Sequence, residues 1–325
     1  MPSCCQHVRR EFELMNLGFG GVRPNDFTRF HFPWPPLLYV VYRVALALYA
    51  LFWLLVTGME FTAKTAHNDR IHSWPVYLSH WAYLILTLYL LLYALAVSFH
   101  VCRRPKYFWR VPSSDTKTDV SQEHTNGTLL TEATRSSEVS PELNNTEHPL
   151  VSIQPPKEKT LQWYFKVTWA LYGVVSNAAA MVTLVFFLYL WPKMSYNEGV
   201  SNMNLQTHAI NFVIVGLDHV LGPIPVRMLH ALYSVILGLI YLLFTLVLLW
   251  TGDVRPIYPF ILDWANEWRT SLVTSALLVV LGIPLIHTFF FVMFKIKECI
   301  STKVKHCLAE RELLKRIRKE PVTVL

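Results

Sequence analysis

Polar and ionisable side chains are costly in hydrocarbon, so the few that interrupt long apolar runs are the first candidates for chemistry. In this chain they are Arg43, Ser79, His208, Asn211 and Asp218. At about 100° per helical residue, His208, Asn211, Asp218, His219 and Gly222 share roughly 100° of arc, one polar stripe on an otherwise apolar helix. Such a stripe must face other helices or a water-filled cavity. At about 1.5 Å per residue, His208 lies about 5 Å below one membrane face and Asp218 about 15 Å deeper, so Asp218 cannot orient His208. Ser79 is about 6 Å from the same face, at the depth of His208, with His80 and Thr207 flanking the two. A serine beside a histidine base is the minimum for an activated nucleophile that attacks an acyl carbonyl. The same two residues also suit plain helix packing, the hydroxyl bonding a carbonyl and the imidazole a neighbouring helix. Arg43 lies about 9 Å from the opposite face, a depth compatible with Asp218. A buried Arg43–Asp218 ion pair that clamps two spans is expected, the alternative being an Arg43 that reaches to the interface.

The elements that position these residues are membrane spans. Of 325 residues, 53% are apolar and only 16% charged, against about 25% charge in a soluble domain. The mean hydropathy of +0.33 excludes a disordered chain. Runs of about 20 apolar residues cross a bilayer. Six are present: Leu37 to Thr57, Pro75 to Val101, Gln162 to Trp191, Leu205 to Gly222, Met228 to Trp250 and Ser271 to Lys295. Tyr and Trp gather near several run ends, as interfacial anchoring predicts. The expected fold is therefore all-α and integral to the membrane, with six transmembrane helices. Its organisation is a segment 1–36, spans one and two in 37–103, a loop 104–161, spans three to six in 162–295 and a basic tail 296–325.

Charge sets the orientation. Twenty-two Lys and Arg residues fall on the side of both termini and five on the other, which predicts cytosolic termini by the positive-inside rule. The net charge of +7 thus reports topology, and no nucleic-acid partner is implied. The first 30 residues hold no continuous apolar stretch, so a cleavable signal peptide is not expected and the first span acts as signal anchor. Cys4, Cys5, Cys102, Cys299 and Cys307 all fall on or near the cytosolic side, where disulfides are not favoured; Cys4 and Cys5 suit palmitoylation or are plain reduced thiols. Residues 111–160 are rich in Ser, Thr, Glu, Asn and Pro, the composition of a long disordered cytosolic loop. Asn126 and Asn144 match the glycosylation pattern, but the topology leaves both unmodified. The tail spaces Ile296, Ile300, Val304 and Leu308 helically between bases, which fits an amphipathic helix on anionic lipid or simple positive-inside charge. No P-loop, dinucleotide fingerprint, zinc spacing, channel filter or transporter repeat is found. No cofactor or metal is called for.

Three segments carry a family resemblance. They are Trp74-Pro75-Val76-Tyr77-Leu78-Ser79-His80-Trp81, Leu205 to Asp218, and Thr251-Gly252 with Ile257-Tyr258-Pro259-Phe260-Ile261-Leu262-Asp263-Trp264. The chain resembles the rolling stone family of multi-pass membrane proteins. More distantly it resembles the androgen-induced-protein-like membrane hydrolases, six-span proteins that cleave fatty acid esters of hydroxy fatty acids with an intramembrane Thr and a His. His208 ten residues before Asp218 reproduces the hydrolase spacing, and Ser79 stands where the pattern has Thr. The resemblance implies Ser79 as nucleophile and His208 as its base. Asn211, His80 and Tyr258 would then line or orient the pocket, and membrane lipids, among them fatty acid esters, would be the partners. The rolling stone resemblance equally implies a non-enzymatic role in cell-surface adhesion or myoblast fusion. A multi-pass protein of the plasma membrane or endoplasmic reticulum suits both.

Overall fold

In a bilayer the backbone must satisfy its own hydrogen bonds, and continuous apolar runs resolve this as helices. The computed structural model describes residues 11–31, 34–66, 72–103, 160–194, 201–259 and 261–319. Helices α1 (Pro36–Ala66), α2 (Leu78–Cys102), α3 (Trp163–Val185), α4 (Asn211–Leu221), α5 (Ala231–Trp250), α6 (Trp268–Leu277) and α7 (Ile283–Lys319) follow in chain order. Among the described residues no β-strand forms; one isolated bridge joins Tyr258 and Leu262.

Five helical stretches are long and apolar enough to cross a membrane: Pro36–Thr62, Leu78–Cys102, Trp163–Lys193, Met228–Trp250 and Trp268–Arg311. The expected fourth span differs. It forms as a helical turn Asn202–Asn204, a π-helix Leu205–Ile210 and then α4. Its polar stripe lowers its hydropathy, so it is not one of the five. Two more π-helices occur, Phe186–Leu190 after α3 and Leu278–Gly282 between α6 and α7.

Helices α2 and α3 are central. About half of each is buried, 50% and 56%, against 22% for α1 and 17% for α5. Helix α2 packs between α1 and α3, and α3 also meets α4, α5 and α7. The core joins Tyr83, Leu86 and Leu90 of α2 to Phe165, Trp169 and Val175 of α3 and Phe290 of α7. A smaller cluster of Val76, Tyr241, Ile257 and Leu262 lies beneath the loop after α5. The outward faces of α1 and α5 present Leu48, Phe52, Leu55, Leu239 and Leu243, the surface that a helix shows to lipid.

The segment before α1 is part of the core. Phe27 and Phe30 are 1% and 5% exposed, and the His31 N–H donates to the Leu221 carbonyl at 3.1 Å. The tail does not begin a new element at residue 296, because α7 runs unbroken to Lys319. The chain divides into two compact units, 1–112 with 160–325, and 113–159. The second unit lies wholly outside the described residues, as do Asn126, Asn144, Cys4 and Cys5. Cys102, Cys299 and Cys307 are free thiols.

Candidate functional site

Ser79 is the second residue of α2, and the chain enters α2 through a 3-10 turn Trp74–Val76 that carries Pro75. Two tyrosines from distant elements fix this entry. The Tyr258 hydroxyl accepts from the Leu78 N–H at 2.8 Å, and the Tyr241 hydroxyl donates to the Val76 carbonyl at 3.0 Å. His80 lies 2.6 Å through Nδ1 from the Trp74 carbonyl and stacks on the Trp74 ring with centroids 4.7 Å apart. A carbonyl only accepts, so Nδ1 of His80 carries the proton. His80 therefore holds the turn and does not line the cavity described next.

That cavity has a volume of about 130 Å³, near the ~150 Å³ of an apolar void that admits a benzene-sized guest. Ser79, His208, Tyr241 and Tyr258 line one part of it, and Asn177 and Ser234 another. The rest of the wall is largely aliphatic, with Val182, Leu237 and Leu278 representative. His208 comes from the π-helix Leu205–Ile210, Leu190 from the π-helix after α3, and Leu278 and Val279 from the third. The three π-helices among the described residues thus all line the same cavity. Each shifts the helical register locally, a feature common at functional sites.

His208 is held but only partly satisfied. Its ring lies parallel to Phe186 at 3.9 Å, and Thr183 Oγ1 donates to its backbone carbonyl. Its Nδ1 is buried without a hydrogen-bond partner. The structure brings Ser79 and His208 to one cavity, and no hydrogen bond joins them. Asn211 is not a cavity residue. Its Nδ2 donates to the Thr207 carbonyl at 2.7 Å, and Thr183 Oγ1 lies 3.5 Å from its Oδ1. The expected single polar stripe is therefore split: His208 turns to the cavity, while Asn211 and Asp218 serve helix packing. The π-turn between His208 and α4 breaks the 100° register that the stripe assumed.

Arg43 and Asp218 meet in a second polar centre. Arg43 Nη1 donates to Asp218 Oδ2 at 2.7 Å, and Nη2 is 2.5 Å from Oδ1. Both side chains are buried, 0% and 1% exposed. Tyrosines complete the cage. Arg43 Nη2 donates to Tyr39 at 2.5 Å, Tyr89 donates to Asp218, and the guanidinium lies 3.9 Å from the Tyr93 ring centroid. A Cβ at Gly222 would lie 2.5 Å from the Asp218 carbonyl oxygen, so this corner requires glycine. Next to it, Tyr172 and His219 Nδ1 are 2.7 Å apart, and Lys297 Nζ caps α4 by donating to the His219 and Gly222 carbonyls.

Asn177, Ser234 and His287 were not singled out from the sequence. Asn177 lies in the middle of an apolar run and His287 inside the last one, so the rule that flags intramembrane polar groups could have found both. Among the described residues no cluster of three or more His, Cys, Asp or Glu is placed to hold a metal.

The sequence model of a family described as Protein rolling stone matches residues 144–308, just over half of the chain. The chain belongs to the rolling stone family. That match contains His208, Asp218 and Tyr258, and Ser79 and Arg43 precede it. A similar protein, Protein rolling stone of Drosophila melanogaster, is 30% identical over 109 residues. Those residues are 32% of this chain and 39% of the relative, so well under two thirds of the relative's length is covered. No solved structure matches.

Proposed function

We propose that this rolling stone family protein is an intramembrane hydrolase of lipid esters. One observation carries the reading: Ser79 and His208, from two separate helical elements, line one apolar cavity, where His208 Nδ1 lacks a partner. In the reaction His208 takes the Ser79 proton as Oγ attacks the ester carbonyl. The proton passes to the leaving alkoxide and an acyl-enzyme remains. Water, deprotonated by His208, then releases the fatty acid. The missing Ser79–His208 hydrogen bond does not weigh against this, since such bonds often tighten only with substrate bound. With Asn211 committed to its helix, the Tyr258 hydroxyl beside the Leu78–Ser79 backbone takes the role of oxyanion donor. The aliphatic wall suits an acyl chain, and the positive-inside bias places Ser79 on the side away from the cytosol.

Labelling with a serine-reactive fluorophosphonate tests this. The wild type should label, and Ser79→Ala and His208→Ala, expressed to the same level, should not. Tyr258→Phe should keep its label with ester turnover reduced about 10²-fold, the usual cost of losing one oxyanion donor. An unlabelled wild type without ester turnover would sink the hydrolase and leave the non-enzymatic membrane role.

A further inference from the structure

The end of the cavity away from Ser79 is built from buried polar groups with one conspicuous gap. Asn177 Nδ2 lies 2.9 Å from the Gly173 carbonyl, 2.8 Å from Ser234 Oγ and 3.0 Å from His287 Nδ1. Ser234 Oγ donates to the Gly173 carbonyl at 3.2 Å. His287 Nε2 faces the Arg227 carbonyl at 2.8 Å. That carbonyl only accepts, so Nε2 holds the proton and Nδ1 accepts from Asn177. The Gly173 carbonyl likewise requires the amide nitrogen of Asn177 to face it, which fixes the amide orientation. Asn177 Oδ1 is then left as a buried acceptor without any partner, in a side chain only 1% exposed that lines the cavity.

The chemistry of this gap is selective. A buried unsatisfied acceptor costs about 1–3 kcal/mol, and a ligand that brings a donor relieves it. Every donor nearby is already engaged: both Asn177 amide protons, the Ser234 hydroxyl and His287 Nε2. A carboxylate or phosphate would therefore meet an acceptor with no donor to hold it. An amide or a protonated acid brings a carbonyl that would stay unpaired. An ammonium would be stripped of water for a single acceptor. A lone hydroxyl fits.

The geometry supplies the rest of the ligand. From Tyr241 to Ser234 is seven residues of α5, and from Thr183, which holds His208, to Asn177 is six of α3. At about 1.5 Å per residue both place the gap roughly 10 Å from the Ser79 end. The wall between is aliphatic, with Val174, Ala178, Met181, Leu237, Val279 and Ile283.

We propose that this cavity binds the head of a neutral lipid alcohol, its hydroxyl donating to Asn177 Oδ1 and the first carbons of its hydrocarbon lying along the aliphatic wall toward Ser79, with the rest of the chain outside the cavity. The site requires no chemistry at Ser79. The test uses the full chain in detergent with tritiated 1-hexadecanol as probe. Unlabelled 1-hexadecanol, hexadecyl methyl ether and hexadecanoate compete, and cholesterol and 1-monooleoylglycerol form two further arms. The alcohol should compete about tenfold better than the ether, which corresponds to about 1.4 kcal/mol, and better than hexadecanoate. Asn177→Leu should reduce the alcohol to the affinity of the ether. Ala178→Leu, which narrows the aliphatic part of the cavity, should abolish probe binding. The wild-type comparison of alcohol with ether needs no variant, so a misfolded Asn177→Leu does not spare the proposal. Whichever of cholesterol and monooleoylglycerol competes better identifies the lipid source as sterol or acylglycerol. Equal competition by alcohol and ether, hexadecanoate matching the alcohol, or full binding by a folded Ala178→Leu would each overturn it. The hydrolase reading is tested by labelling at Ser79 and this site by the alcohol–ether comparison in the wild type, so failure of the hydrolase reading and failure of this site are separable.

Discussion

Arg43 sits among tyrosine rings whose faces are negative, with Tyr39, Tyr42 and Tyr93 all within about cation–π reach. The sign of its charge is therefore fixed by more than Asp218. Replacing Arg43 by Leu should cost about 3–5 kcal/mol, the usual price of stranding one partner of a buried pair. Thermal unfolding in detergent would measure it. Leucine at both positions should recover much of that loss, whereas exchanging the two charges should recover little, because a carboxylate at position 43 would face the same rings. Full rescue by the exchange would mean that the cage is incidental. The pairing itself was legible from depth along two helices. The cage was not, since tyrosines at 39, 42, 89 and 93 look like ordinary interfacial aromatics until three helices converge. A second residue-scale prediction concerns the loop after α5. Bonds from the Arg255 side chain, at 2.8 Å and 2.9 Å, hold the Asp253 carboxyl down to about 2, helped by His72 at 3.2 Å. A carboxyl lowered by folding adds stability above its unfolded value of about 3.8 that is lost as pH falls through about 2. Asp253→Asn should therefore melt below the wild type from pH 7 down to about 4, and the gap should close toward pH 2. A gap that persists at pH 2 would mean that the clamp works by shape alone.

At the scale of elements, the apolar runs announced the helices because nothing else satisfies a backbone in lipid. Run length says how far a chain goes and little about its winding. The π-helices Phe186–Leu190, Leu205–Ile210 and Leu278–Gly282 have no composition that marks them. Each depends on what packs against it, as with Phe186 on His208. This is why the polar stripe of the fourth run was visible as a set but misjudged in direction. A helix with one residue too many per turn becomes regular when that residue is removed. Deleting Ala209 should therefore straighten Leu205–Ile210 and rotate His208 off Phe186 and away from the cavity. The fluorophosphonate label proposed for Ser79 should then be lost, while Asp218, beyond the deletion, keeps Arg43 and the fold keeps its melting temperature to within a few degrees. Retained labelling would show that the π-turn does not aim His208.

At the scale of the whole molecule, the segment before α1 ties the bundle together. Charge and composition placed residues 1–36 outside the membrane and gave no sign that they pack. Arg227 donates to the Gly18 and Gly20 carbonyls at 2.7 Å and 2.5 Å, and Tyr233 donates to the Leu17 carbonyl at 2.8 Å. Tyr93, of the Arg43 cage, donates to the Phe27 carbonyl at 2.9 Å. Phe27 lies 5.3 Å from Phe165 and 5.7 Å from Trp169 between ring centroids. One segment thus touches the cage through Tyr93 and also meets Arg227, whose own carbonyl faces the His287 that contacts Asn177 of the cavity. Its hydrogen bonds to Arg227, Tyr233 and Tyr93 are made by backbone carbonyls, which any sequence offers, and this is why the sequence was silent about them. Truncating a buried phenylalanine costs about 3–5 kcal/mol, so Phe27→Ala should lower the melting temperature of the full chain clearly. Arg227→Leu should act differently. It frees Gly18 and Gly20 and loosens the carbonyl that fixes His287, so it should weaken discrimination of 1-hexadecanol from its methyl ether more than it lowers the melting temperature. If Phe27→Ala and Arg227→Leu instead lower melting and discrimination in the same proportion, the segment is a lid on the core with no separate line to the cavity.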